Sequence, residues 1–154
     1  MKFSTKEDVD APIGKVFDTL ADFEMIERAA MRRGVEVQRT DTLSKPGVGA
    51  SWHAKFNMRG KQREVDIFVP SYDPPNEITM HSQLQGLQSE MKIELVALSR
   101  QQTRLSVVAN LKPTTLSARL LVQSLKMART KLNKRFRERV ADYARELQER
   151  AARL

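Results

Sequence analysis

Residues 103–125 read Thr-Arg-Leu-Ser-Val-Val-Ala-Asn-Leu-Lys-Pro-Thr-Thr-Leu-Ser-Ala-Arg-Leu-Leu-Val-Gln-Ser-Leu, and the spacing of their apolar side chains changes partway along. Up to Leu111 an apolar side chain recurs at every second position, which is typical of a strand with one buried face. After Lys112 and Pro113, Thr114 or Thr115 can cap a helix in which no Pro or Gly occurs before the last residue. This segment predicts a strand that leads into one long C-terminal helix.

The two-residue spacing also extends upstream as far as Val35, with turn residues between its segments. Five turns divide the region into six consecutive strands. The turns lie at residues 45–49, 59–61, 73–76, 86 and 100–102. A seventh strand is predicted over residues 2–10. Two short helices follow it, the first from Pro12 and the second over residues 23–33, where Met25, Ile26, Ala29 and Ala30 can face inward.

An antiparallel sheet with one apolar face has to be covered, and the terminal helix is the only element large enough. We therefore predict an α+β fold of one domain over residues 1–154: a seven-stranded antiparallel sheet wrapped around a long C-terminal helix, with two short helices between strands 1 and 2. The predicted inward stripe of the terminal helix is Leu121, Leu125, Ala128, Leu132, Phe136, Val140, Tyr143, Leu147 and Ala151. A helix of this length would overhang the sheet, which leaves open whether it mediates a homodimer.

Composition limits the classes of function. The chain of 154 residues has no cysteine, which excludes disulfides, thiolate metal sites and cysteine nucleophiles. No signal-peptide or membrane-spanning run is apparent, so we expect a cytoplasmic protein. The net charge is +8, and residues 112–154 hold all of the excess, with 12 basic and 4 acidic side chains.

Four short motifs, in this order and spacing, resemble those of the START-like superfamily, also called the helix-grip or SRPBCC fold, and within it the polyketide cyclase/dehydrase-like branch. The motifs are residues 9–17 (VDAPIGKVF), 47–52 (GVGASW), 72–78 (YDPPNEI) and 103–105 (TRL). The resemblance covers nearly the whole chain. It implies a hydrophobic cavity between the sheet and the C-terminal helix that binds lipids, polyketides or other apolar and aromatic molecules, with enzymes in the minority.

Strand alternation and helical spacing predict which apolar side chains face that cavity. The predicted ligand-binding residues are Phe17, Phe23, Trp52, Phe56, Met58, Ile67, Met80, Met91, Ile93, Val107, Leu121 and Leu125. The alternative is that these residues simply fill a packed core. The first hypothesis is a protein that binds or transports a small hydrophobic molecule without a cofactor.

Glu7 has the same strand parity as Phe3 and Val9, which places a carboxylate on the inward face. Such a group could orient a polar part of the ligand, or act as acid or base in a cyclase or dehydratase, which is the second hypothesis. His53 and His81 have outward parity, and no metal site is predicted from them.

Residues 126–139 contain seven basic side chains and one acid, Glu138. Lys131, Lys134 and Arg135 are candidate anion-binding residues on this helix. An anionic membrane surface is the favoured partner in this third hypothesis, and nucleic acid is disfavoured because no aromatic side chains suited to base stacking are interleaved. The competing interpretation is a solvated helix face.

Overall fold

The computed structural model describes residues 1–154 and contains one antiparallel sheet of seven strands. The strands are β1 (Lys2–Val9), β2 (Glu36–Arg39), β3 (Ser51–Met58), β4 (Lys61–Asp73), β5 (Glu77–Leu84), β6 (Leu87–Ser99) and β7 (Gln102–Pro113). Their order across the sheet is β1-β7-β6-β5-β4-β3-β2, so β2 to β7 form a meander and β1 closes onto β7. The predicted α+β architecture and strand succession are confirmed.

Two short helices separate β1 from β2, as predicted: α1 (Ile13–Leu20) and α2 (Phe23–Arg32). The side chain of Asp22 accepts a hydrogen bond from the Met25 N–H and caps α2. Gly34 ends this helix with φ at +87°, a conformation that glycine adopts without steric cost. The Val35 N–H then donates to the Ala30 carbonyl at 3.1 Å, so the chain reverses directly into β2.

The prediction of one unbroken terminal helix is wrong. The chain forms α3 (Leu116–Met127), capped by the Thr115 side chain, and α4 (Arg129–Ala151), with a break at Ala128. Neither Pro nor Gly stands at the break, so local propensity does not account for it. The two helices have different neighbours, because α3 packs against β7 whereas α4 packs against β1 and α1. Tertiary packing therefore separates them.

Hydrogen bonds at both ends of β1 hold α4 along this edge of the sheet. The Asp10 N–H donates to Gln148 Oε1 at 2.8 Å, and the Arg129 guanidinium donates to the Lys2 carbonyl at 3.3 Å. The fully buried side chains of Val9, Leu105 and Leu147 belong to the core beneath it. The terminal helix thus covers one side of the concave face and leaves β3 to β5 to be covered by other residues.

None of the helices is both long enough and apolar enough to cross a lipid bilayer.

Candidate ligand cavity

A cavity of about 220 Å³ lies between α2 and the concave face of the sheet. Eleven of its twelve lining residues are hydrophobic, and the exception is Glu27. The lining consists of Phe23, Ile26, Glu27, Ala30, Val35, Val37, Trp52, Ala54, Phe56, Val65, Ile67 and Met80. One side opens to solvent, since Ile26 remains 40% exposed. An apolar enclosure of this kind is typical of a small-molecule site.

Helical spacing builds the roof of the cavity. Phe23, Ile26, Glu27 and Ala30 stand at intervals of three or four residues along α2, so they share one face of the helix. The floor follows strand alternation instead: Trp52, Ala54 and Phe56 are every second residue of β3, and Val65 and Ile67 lie opposite them on β4.

Trp52 joins the roof to the floor. Its indole meets the Phe23 ring edge to face, with centroids 5.1 Å apart and the planes at 90°. The indole Nε1–H donates to Glu27 Oε1 at 2.7 Å, and the Arg39 guanidinium carbon lies 5.0 Å from the Trp52 ring centroid. Edge-to-face and cation–π contacts both add to the stabilisation that burial supplies. Trp52 therefore fixes the position of α2 over the sheet.

Arg39, which lies against Trp52, is the centre of a cluster of charged side chains. Arg39 Nη1 lies 3.7 Å from Glu27 Oε1, and Arg39 Nε donates to Asp41. Asp41 also accepts hydrogen bonds from the backbone N–H groups of Ser51 at 2.7 Å and Leu43 at 2.9 Å. The Arg39 hydrogen bond, helped by these backbone donors and opposed by burial, lowers the pKa of Asp41 to about 2. The cluster keeps Arg39 against the indole.

This depressed pKa predicts a pH dependence of stability. A carboxylate whose pKa falls on folding stabilises the fold above its unfolded pKa, near 3.8, and loses that contribution as the pH falls toward about 2. We expect Asp41→Asn to lower the free energy of unfolding at pH 7 by about 1 kcal/mol, allowing for solvent screening. Urea denaturation between about pH 7 and pH 2 would also show a shallower loss of stability in the variant.

Asp73→Asn, at an exposed aspartate whose side chain makes no hydrogen bond or ion pair, is the matched control. Identical acid profiles for Asp41→Asn and the wild-type protein would contradict the prediction.

Five of the residues predicted to bind ligand line this cavity: Phe23, Trp52, Phe56, Ile67 and Met80. Phe17, Ile93 and Val107 are buried in the core outside it, whereas Met58 and Met91 are exposed. Glu7 is half-buried opposite Leu105 on β7 and does not line the cavity. The structure thus gathers the predicted residues of β3 to β5, except Met58, and separates them from those of β1, β6 and β7.

The helix that roofs the cavity differs from the expectation. No residue of α3 or α4 lines it, because α4 lies over β1 and α2 occupies the position above β3 and β4. Leu125 is half-buried, but Leu121 is 45% exposed, so its predicted inward orientation is wrong. The buried side chains of α3 are Ala118 and Val122.

Sequence reasoning missed Glu27 as a cavity residue. The available signal was its spacing, since it stands four residues after Phe23 and one after Ile26. A glutamate on a surface helix is normally assigned to the solvent face, and only the indole of Trp52, 25 residues later, supplies the donor that holds it at the cavity.

The two histidines lie on the opposite face of the sheet from the cavity. His53 Nδ1 is 2.6 Å from Asp66 Oδ1, and His81 Nε2 is 2.9 Å from Glu90 Oε2. The hydrogen bond to Asp66 raises the pKa of His53. The structure contains no group of three or more His, Cys, Asp or Glu side chains arranged to hold a metal ion.

Several solved structures share this architecture. An aromatase/cyclase from Streptomyces sp. R1128 superposes with a TM-score of 0.66 at 15% identity, covering 99% of this chain and 94% of that one. A protein from Thermus thermophilus gives a TM-score of 0.63 at 15% identity over 99% and 97%. A START superfamily protein from Mycobacterium smegmatis gives 0.57 at 14% identity over 87% and 95%. No protein-family model and no curated protein matches the chain. The chain has the helix-grip fold of START-like proteins.

Proposed function

We propose that this protein binds a small apolar molecule in the cavity between α2 and the sheet. The observation that carries the proposal is a space of about 220 Å³ with an almost entirely apolar surface, lined by eleven hydrophobic side chains and Glu27. An apolar cavity of about 150 Å³ already accepts benzene, so this one has room for a somewhat larger aromatic or a short acyl chain. Binding requires no bond to form or break.

The surface of the cavity is almost entirely apolar, although Glu27 is among its lining residues. The carboxylate of Glu27 is directed to Trp52 and Arg39, both of which contact its Oε1. We therefore propose a ligand that is apolar over the whole of its buried part. An enzyme of the cyclase or dehydratase type would also have to use Glu27, because Glu7 is not in the cavity and Glu27 is the only titratable side chain lining it.

N-phenyl-1-naphthylamine suits the test, because it is uncharged, largely apolar and fluoresces more strongly in apolar surroundings. Burial of about 200 Å² of its surface contributes about 5 kcal/mol, which predicts a dissociation constant on the order of 0.1 mM. We expect Ala54→Phe, which fills the floor of the cavity, to weaken binding about 10-fold or more. Asn57→Phe adds the same ring on the solvent face of β3 and should leave the affinity unchanged.

Ala30 is half-buried on α2, so Ala30→Phe fills the cavity from the opposite side. This variant replaces Ala54→Phe in the test if Ala54→Phe does not fold. Equal affinity in the wild-type protein and a folded cavity-filled variant, or no saturable binding to the wild-type protein, would overturn the proposal. Native mass spectrometry of protein purified from its own host would show whether an apolar molecule accompanies it.

A further inference from the structure

Helix α3 carries apolar side chains on two opposite faces. Ala118 and Val122 are buried and Leu125 is half-buried, so these three face the sheet. Leu116, Leu120 and Met127 are spaced by four and seven residues, which places them about half a turn away from the buried set. They are 74%, 63% and 92% exposed. A surface helix normally presents polar residues there, so the outer apolar face is unexplained by folding of the monomer.

Basic side chains lie beside this apolar face on α3 and continue along α4. Arg119 and Lys126 are exposed on the same helix, and residues 112–137 contain eight basic side chains and no acidic one. Past the break at Ala128, Lys131, Lys134 and Arg135 lie on the side of α4 opposite its buried residues. All three are exposed, and the nearest acid, Glu138, lies 4.0 Å from Lys134 Nζ. We call Leu116, Leu120, Met127, Lys131, Lys134 and Arg135 the outer α3–α4 face.

We infer that the outer α3–α4 face docks on an anionic lipid bilayer. The leucines and the methionine enter the boundary between headgroups and acyl chains, where an interfacial helix places its apolar side. The lysines and arginines remain at the level of the lipid phosphates, where each contributes attraction to the negative surface. The helix lies on the membrane, because its inner face remains packed on the protein.

The charge of the face argues against the other occupants. A second copy would bring the same cations against one another, and the face supplies no acid to pair with them except Glu138. Nucleic acid would satisfy the cations, but it would leave three exposed apolar side chains in contact with phosphates and water, and the outer α3–α4 face contains no aromatic ring on which a base could stack. A lipid surface satisfies both the charge and the apolar side chains.

The inference does not depend on the proposed ligand. The docking face and the cavity share no residue, and they stand on different helices. The start of α3 is fixed to the β5–β6 turn, because the Thr114 N–H donates to the Gly86 carbonyl at 2.7 Å. Substitutions on the outer face therefore leave the cavity intact, and naphthylamine binding distinguishes failure of one proposal from failure of the other.

The experiment is flotation of the full chain with vesicles of phosphatidylcholine alone, or with about 30 mol% phosphatidylglycerol, at low and high salt. We expect binding to the anionic vesicles only, weakened by salt. Leu116→Ser with Leu120→Ser should reduce binding about 10-fold or more. Lys131→Ala with Lys134→Ala and Arg135→Ala should reduce it by up to about 100-fold at low salt. Val96→Ser with Leu98→Ser removes exposed apolar side chains of β6, away from the face, and should leave binding unchanged.

Three outcomes would overturn the inference. The first is absence of binding to anionic vesicles, or binding that neither set of outer-face substitutions reduces. The second is a concentration-dependent dimer that Leu116→Ser with Leu120→Ser abolishes, which would assign the face to a second copy. The third is binding of duplex DNA that the lysine and arginine substitutions abolish and the leucine substitutions leave unchanged, in the absence of vesicle binding. Circular dichroism of each variant would confirm that it is folded.

Discussion

Leu147→Ala is expected to lower the free energy of unfolding by about 3–4 kcal/mol, a large share of the stability of an ordinary domain. Leu147 is fully buried on the face of α4 that packs against β1 and α1. Val140, Ala144 and Ala151 are buried on the same face, so the truncated side chain leaves a space that rigid neighbours cannot fill. Urea denaturation followed by circular dichroism should show a lower midpoint with an unchanged slope.

Leu120→Ala is the matched control, because it is the same substitution on the neighbouring helix at a position 63% exposed. Ala is the better helix former, so the free energy of unfolding should stay within about 0.5 kcal/mol of that of the wild-type protein. If Leu147→Ala were as mild as Leu120→Ala, α4 would not be packed against β1 and α1 as described.

Trp52→Ala is expected to reduce the free energy of unfolding by about 3–5 kcal/mol. The substitution removes the contact with the Phe23 ring, the indole donor to Glu27 and the surface on which Arg39 lies. It also opens the cavity further, because Trp52 forms part of the floor. Trp52 is the only tryptophan in the chain, so circular dichroism must replace intrinsic fluorescence as the measurement.

Trp52→Phe separates packing from hydrogen bonding. The ring remains, but Glu27 loses the N–H that lies 2.7 Å from its Oε1. We expect a loss of about 1–2 kcal/mol, since an acceptor in a partly buried site is left without its donor. Wild-type stability in Trp52→Phe would show that the Glu27–Trp52 bond contributes nothing to holding α2. A loss as large as that of Trp52→Ala would contradict the role assigned to the packed ring.

The proposed ligand and the proposed membrane surface give different roles to the two unusual parts of the molecule. The inside of the cavity is apolar, whereas the outer α3–α4 face is apolar and cationic on the surface of the protein. A protein that docks on a lipid surface and holds a small apolar guest would meet such guests where they are concentrated. Each property is tested separately, because the two sets of residues do not overlap.

Local spacing predicted much of the cavity. Trp52 and Phe56 point to the same side because successive strand residues alternate. Their common orientation could therefore be predicted without knowing which helix lies above them. Phe23 was readable from helical spacing. The partner of Trp52 was not, because Glu27 and Trp52 are joined by a side-chain hydrogen bond that no periodic pattern encodes.

The strands, their succession and the two short helices were predictable from local patterns, because alternation, helical spacing and turn residues act over a few neighbouring positions. Which helix covers which strands depends instead on contacts between distant parts of the chain. Residues 116–127 are apolar on both sides, so spacing could not choose between Leu121 and Val122 as the inward residue, and packing against β7 buries Val122. The position of α4 depends on bonds such as that from the Asp10 N–H to Gln148, between residues far apart in the chain. That placement over β1 leaves the concave face of β3 to β5 to α2, so the cavity lies beneath α2 and not, as the sequence had predicted, beneath the terminal helix.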